Sequence, residues 1–413
     1  MNEKYHYKCF DCGKTYSKDE IENNLIYLCP VCGVVEKNKP LKGILLIEYD
    51  YETIKRKISK DEFLKIPSGK FWLYDYLWPI DFQNERVKKI TNQLKKISLP
   101  GDNFLIEKYD NKTISILDET RNPTLSFKDR ASSLVTLKAI ELGIDLISAA
   151  STGNAGSSLA GICARLGLRS IVFVPKKIPE AKRIQIQSFG AEIVLVDGDY
   201  DLAFDICLEI SQEKKWYNRN TAYNPLTIEG KKSAAYDIFI SSKGKIPKNI
   251  FIPTGDGVIL SGLYKGFLEL KKLGWIDELP KLISVQAKGS NAFYRYFNTK
   301  KFEYKNTESI ADSICAGAPR ALFLGSKSIE ESNGFVLLVD DEEILTAQKI
   351  VSEKFGILIE PSSAAAFAAY KKNVIDDVLL LFTGNGLKDI SSLAKWNKQP
   401  EVHSNNSIKE KYF

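Results

Sequence analysis

Two histidines, His6 and His403, are all that 413 residues contain, and both lie near the ends. The middle of the chain therefore has no imidazole, and any proton-moving chemistry there needs another base, with lysine the first candidate. No run of about 18 uncharged apolar residues occurs, which excludes a membrane-spanning helix from the expectations. The opening stretch MNEKYHYKCFDCG lacks the apolar core of a secretory signal. Neither GxxxxGK[ST] nor GxGxxG is present, which counts against ATP and NAD. No period of 20 to 50 residues recurs, so a solenoid is not expected. The net charge of +6 is mild, and the N-terminal region has no dense Lys/Arg patch. That argues against a nucleic-acid partner while leaving room for small anions.

What is present suits a globular protein: 44% apolar and 27% charged residues, in a chain long enough for two or three domains. Of seven cysteines, four form the pairs Cys9-x2-Cys12 and Cys29-x2-Cys32, each followed by glycine. Four soft thiolates at this spacing suit one tetrahedral zinc ion, and a four-cysteine site is closed and hence structural. Four buried free cysteines are the plainer alternative, but they leave the two repeated turns unexplained. Unpaired thiols of this kind fit a reducing compartment, so a cytoplasmic location is expected. Zinc ribbons also bind other macromolecules, which keeps a binding-module reading open.

From about residue 100 the chain alternates apolar runs with helical patterns. LISAA (146–150), SIVFVP, AEIVLVDG, NIFIP, KLISVQA and VLLLF read as buried strands, with helical segments between them. Continuous apolar strands separated by helices predict an α/β fold with parallel sheets. FWLYDYLWPI, nearer the N-terminus, reads as an aromatic packing cluster.

Three turns after expected strands begin Thr-Gly: STGNAG (151–156), PTGDGV (253–258) and FTGNGL (382–387). Sites in open α/β sheets lie at the carboxyl ends of strands, so all three could converge on one crevice. TGDGVILSG leads most clearly into a helix, whose free N–H groups suit a phosphate. A plain tight loop would have a similar sequence. Beside this phosphate cup belongs Lys128, in NPTLSFKDR, where an extended segment turns into a helix. A carbonyl cofactor carrying a phosphate would react with such an amine, and pyridoxal 5′-phosphate (PLP) has both features. A solvated lysine is the bland alternative. Asp129 and Arg130 read as a local ion pair on the first turns of that helix.

NPTLSFKDR, STGNAGSSLA, EGKKSAAYDI, PTGDGVILSG, EPSSAAAF and TGNGLKD stand in the order that resembles the threonine synthase family, over roughly residues 100 to 390. The resemblance implies PLP fold type II: two parallel-sheet α/β domains around a central cofactor cleft, with an N-terminal zinc ribbon. It implies a ribbon over 1–36, a discontinuous large domain over 37–130 and 246–395, a small domain over 131–245 and a tail over 396–413. It implies a homodimer acting on an amino-acid substrate. Lys128 resembles the lysine that joins the cofactor, and Phe127 would line the pocket. Asn154 resembles the partner of the ring 3′-oxygen, and Ser151 and Thr152 the grip on the substrate carboxylate. Gly255, Asp256, Gly257, Val258 and Ile259 match the phosphate loop, and Thr383 the hydroxyl facing the ring nitrogen. The implied reaction converts O-phospho-L-homoserine and water to L-threonine and phosphate.

Three departures bear on the substrate. NPLTIEG carries Thr227 where many members have an arginine gripping the substrate phosphate, and a threonine cannot form a bidentate clamp. Lys176, Lys177, Lys182, Arg183 and Arg219 are the candidates to compensate. Asp256 replaces an asparagine, and its carboxylate should point away from a phosphate. SIADSICAGAPRALF also diverges, with Asp312, Ser313 and Arg320 as candidates for specificity and Cys315 expected to be a buried structural thiol. Two other readings stay open: PLP-dependent β-elimination or β-replacement on serine, threonine, O-phosphoserine or a diamino acid, and a retired binding protein using its ribbon.

Overall fold

VLLLF is buried at all of its residues because Val378–Phe382 lies inside a sheet with helices on both faces. A computed structural model describes residues 4–151 and 153–402; Thr152, His403 and the remainder of the tail lie outside the described residues. Six strands form the larger sheet, in the order Val336–Val339, Lys281–Ala287, Asn249–Pro253, Val378–Phe382, Lys112–Asp118 and Phe104–Tyr109. Neighbours run parallel except the last pair, an antiparallel hairpin with Tyr109 opposite Lys112. Its two turn residues, Asp110 and Asn111, have φ of 47° and 62°. A two-residue hairpin turn requires this conformation, and these residue types tolerate it.

The second sheet has four parallel strands: Glu192–Val196, Arg169–Pro175, Leu146–Ala150 and Tyr217–Asn218. The helix Pro361–Lys372, PSSAAAFAAYKK, is buried along almost its whole length against the larger sheet. Its alanines allow this close approach, and having no polar face is what a helix covered on all sides needs. The parallel-sheet reading and the strand assignments hold.

A third, antiparallel sheet joins Tyr5–Cys9 to Thr15–Tyr16 and to Leu45–Tyr49. The turns beside it bring Cys9, Cys12, Cys29 and Cys32 together, with all four sulfurs within 4.8 Å of one another. Cys9 Sγ is 3.4 Å from Cys32 Sγ, and Cys12 Sγ is 3.7 Å from Cys29 Sγ. A tetrahedral ion with bonds of about 2.3 Å sets sulfurs about 3.8 Å apart, so the cluster is compatible with a zinc ribbon. Among the described residues no helix is long and apolar enough to cross a membrane. The aromatic stretch packs as expected: Phe71, Tyr74 and Trp78 are buried, and Trp78 donates its indole N–H to the Phe71 carbonyl.

One expectation fails. Asp129 and Arg130 do not pair with each other. Asp129 accepts the Thr124 backbone N–H at 2.6 Å and the Thr124 hydroxyl, closing the loop before the helix Asp129–Leu142. Arg130 points to the opposite side, where Nε and Nη2 fork onto Glu119 at 2.9 and 2.6 Å. Its Nη1 reaches Asp237 at 2.6 Å and Ser233 at 2.9 Å. All three charged side chains are fully buried. Consecutive helical residues point about 100° apart, so adjacency in sequence does not favour a pair. Glu119 follows the strand Lys112–Asp118, and Asp237 lies on the helix Ser233–Ser241. Asp237 also accepts Tyr74 Oη at 2.5 Å, so Arg130 ties four segments together. Truncation by Arg130→Ala leaves two carboxylates buried without a cation. It should cost about 3–5 kcal/mol, seen as a lower denaturant midpoint, whereas Arg121→Ala on the exposed edge should change the midpoint little.

Candidate active site

The carboxyl ends of Leu146–Ala150, Asn249–Pro253 and Val378–Phe382 face one cleft, and the three Thr-Gly turns meet there. Lys128, Ser151, Asn154, Gly255 to Ile259 and Thr383 all line it. Phe127 does not. Its ring is fully buried, 5.5 Å below the Arg130 guanidinium. It belongs to the site through its backbone instead, donating its N–H to the Thr383 carbonyl at 2.8 Å.

Lys128 occupies the cap position of the helix Asp129–Leu142. Among the described residues its amine has no ion pair or hydrogen bond. Burial lowers its pKa; Glu360 and Asp256 pull the other way, while Arg219 and Lys182 add to the lowering. The positive end of the helix disfavours a cation there too. An amine in this position is readily available unprotonated.

Ser151 ends its strand, and its hydroxyl accepts the N–H groups of Gly153 and Gly156 at 2.9 and 2.8 Å. That shapes the turn into the helix Asn154–Leu166. Asn154 begins this helix with its amide nitrogen on Glu360, at 2.8 and 2.9 Å from the two oxygens, and on Ser313 at 3.1 Å. Its Oδ1 is buried without a partner among the described residues.

The turn Thr254–Gly257 leads into the helix Val258–Lys272. Gly257 caps it with φ of 83°, a conformation costly for other residues. A Cβ at Gly255 would lie 2.8 Å from the Ile314 Cα, leaving no room for a side chain. The first N–H groups of this helix are therefore open to the cleft. The Asp256 carboxylate is engaged, accepting the Arg320 backbone N–H at 3.1 Å and the Tyr200 hydroxyl at 3.4 Å. Thr383 has its hydroxyl 3.2 Å from Ser363 Oγ.

Among the candidate cations, Lys182 is held by Asp312 at 2.6 Å and lies 3.9 Å from Glu360. Burial alone would lower its pKa, but Asp312 and Glu360 outweigh this and raise it. Lys176 and Arg183 pair with the exposed Asp197 and Glu180. Arg320 is bound to Asp201 at 2.5 Å. Arg219 is different: it is fully buried, and both terminal nitrogens lack partners. Burial pushes its pKa down to about 10. Thr227 is locally engaged, its hydroxyl donating to the Asn224 carbonyl and accepting the Ala222 N–H. Cys315 is half-buried and lines the cleft, rather than being buried as expected.

Sequence reasoning assigned nothing to Lys231, Glu360 or Tyr200. Lys231 and Tyr200 line the cleft, and Glu360 holds Asn154 from behind. For Lys231 a signal existed, since it lies one helical turn beyond Thr227 on the helix Leu226–Lys231.

Comparison with known proteins agrees with this geometry. Residues 102–384 match the family of pyridoxal-phosphate dependent enzymes. The threonine synthase of Methanocaldococcus jannaschii is 35% identical over 408 residues, covering 95% of each chain. That of Methanosarcina acetivorans is 33% identical, covering 99% of each. Among solved structures, the L-serine ammonia-lyase of Rhizomucor miehei superposes with a TM-score of 0.62 at 19% identity, covering 71% of this chain and 96% of that one. That likeness concerns the fold alone, whereas the sequence relatives span the whole chain, so the chain belongs to the pyridoxal-phosphate dependent enzymes and, within them, is a threonine synthase-like lyase.

Proposed function

We propose that the cleft binds PLP and converts O-phospho-L-homoserine and water into L-threonine and phosphate. The observation that carries the proposal is the Lys128 amine, without a partner among the described residues, in one cleft with a glycine-bordered helix start. The cleft fits the cofactor by its unused groups. Gly255 to Ile259 offer open N–H groups for the phosphate, and Asn154 Oδ1 is a buried acceptor awaiting a donor. Thr383 presents a hydroxyl rather than a carboxylate to the ring nitrogen, which suits elimination and replacement better than transamination. We assign this cofactor domain to 37–130 and 246–395, and the smaller domain to 131–245.

When bound, PLP supplies an electron sink for negative charge at the carbons next to the substrate amine. Lys128 holds its carbonyl end, and once freed takes protons from Cα and Cβ and returns them. Burial favours the neutral amine that this work needs. Ser151, Thr152 and the start of the helix Asn154–Leu166 hold the substrate carboxylate so that Cα faces Lys128. The C–O bond at Cγ breaks to release phosphate, Cγ gains a proton, and water adds oxygen at Cβ. We further propose that the four cysteines hold one structural zinc ion.

Wild-type enzyme supplied with PLP should release threonine and phosphate in equal amounts from O-phospho-L-homoserine. Ammonia from serine or threonine, with no threonine formed, would replace this reading by β-elimination. Lys128→Ala should lower kcat by at least about 100-fold, and borohydride should no longer fix the coenzyme to the chain.

Metal analysis should find a single zinc ion per chain. Cys29→Ser should lose it and lower the melting temperature, and an unchanged metal content would sink the ribbon assignment.

A further inference from the structure

Six lysines are buried among the described residues: Lys138, Lys182, Lys231, Lys232, Lys265 and Lys388. Five have partners. Lys138 meets Glu22 and Glu141, Lys182 meets Asp312, and Lys232 and Lys265 share Glu229 and Glu269. Lys388 donates to Ser157 and Gln185. Lys231 alone has neither an ion pair nor a hydrogen bond among the described residues, although it lines the cleft. Arg219, also fully buried, has both terminal nitrogens unpartnered. Asp256, the carboxylate acting on Lys231, already faces the Arg320 N–H and Tyr200.

Two unpaired cations in one buried region are costly unless an anion joins them. We propose that Lys231, supported by Arg219, is the cationic subsite for a phosphate monoester dianion in this cleft. Geometry places it beside the glycine turn, because Gly262 lets the helices Leu226–Lys231 and Val258–Lys272 meet. A Cβ at Gly262 would lie 2.6 Å from the Lys231 Cβ. A dianion balances two cations, whereas a lone carboxylate balances one. Burial, then Arg219 and Lys128, depress the pKa of Lys231 well below the usual lysine range, so the arriving dianion also stabilises its proton. Two groups in the cleft carry this chemistry: the phosphate of the cofactor and, resting on the proposed function, the phosphate of the substrate.

The test compares wild type, Lys231→Met and Lys231→Arg as full chains, stripped of cofactor and loaded. In phosphate-free buffer, stripped Lys231→Met should melt higher than wild type, because an unpaired buried amine has been removed. Inorganic phosphate should raise the melting temperature of wild type and Lys231→Arg but not of Lys231→Met. Loss of a charge-assisted contact predicts a weakening on the order of 10- to 100-fold. If PLP affinity falls by that factor, the cofactor phosphate is the occupant. If PLP affinity holds while KM for O-phospho-L-homoserine rises by it, the occupant is the substrate phosphate.

The subsite is overturned by Lys231→Met melting lower than wild type, by a wild type that phosphate does not stabilise, or by both affinities staying unchanged. A wild type that makes no threonine, yet shows a phosphate response lost in Lys231→Met, overturns the proposed reaction and leaves the subsite standing.

Discussion

The fork from Arg130 onto Glu119 and Asp237 holds the reactive segment in place. Lys128 and Arg130 are separated by one residue, so fixing the guanidinium fixes where the helix begins and hence where the lysine emerges. Asp129 closes the other side by gripping Thr124. Just before the lysine, Leu125 has φ of 66°, a strained value for a leucine. The Asn385 N–H onto the Leu125 carbonyl and the Phe127 N–H onto the Thr383 carbonyl hold that bend. The same contacts bind the lysine segment to the Thr383 turn, so two walls of the cleft move as one body.

Electrostatics divides the interior into two kinds of region. Around Glu229 and Glu269, each buried lysine has a carboxylate and the tyrosines supply further donors: Tyr49 reaches Glu229 at 2.5 Å and Tyr236 donates to Glu269. Such a charge-paired network fixes how the helices dock. In the cleft the bookkeeping does not close. Lys128, Lys231 and Arg219 have no carboxylate bonded to them among the described residues, burial holds both lysines towards the neutral amine, and Glu360 and Asp256 are already engaged by Asn154 and by the Arg320 N–H. Buried cationic groups left without a carboxylate beside a cleft suit an anion that enters it.

How much of this was legible in the sequence follows from the range of the interactions. LISAA, NIFIP and VLLLF announce buried strands because burial on both faces requires a continuous apolar run. The Thr-Gly turns announce backbone exposure at strand ends, since only small residues allow it. These signals are local. Arg130 was misread because its partners Glu119 and Asp237 are fixed by how two helices and a sheet dock, whereas Asp129 was merely adjacent. The family resemblance puts Phe127 on the cleft wall, yet consecutive residues at a helix start diverge and its ring lies in the core. Lys231 was passed over for a related reason. Lys232, its neighbour in the chain, meets Glu229 and Glu269, whereas Lys231 packs against Gly262 and reaches the cleft.

Thr227 and Asp256 make sense together in this light. Thr227 uses its hydroxyl to fix the loop at Ala222, whose φ of 60° needs support. No cation remains on that turn of the helix, whose one charge is Glu229. Lys231 restores a cation one turn further along, where the helix Val258–Lys272 is close. A cation so near the glycine turn would draw in a carboxylate at Asp256 if that side chain were free to rotate. The Arg320 N–H and Tyr200 engage that carboxylate instead. The two departures Thr227 and Asp256 and the unassigned Lys231 thus lie around one glycine turn, a neutral side chain, a bonded carboxylate and an amine without a partner among the described residues.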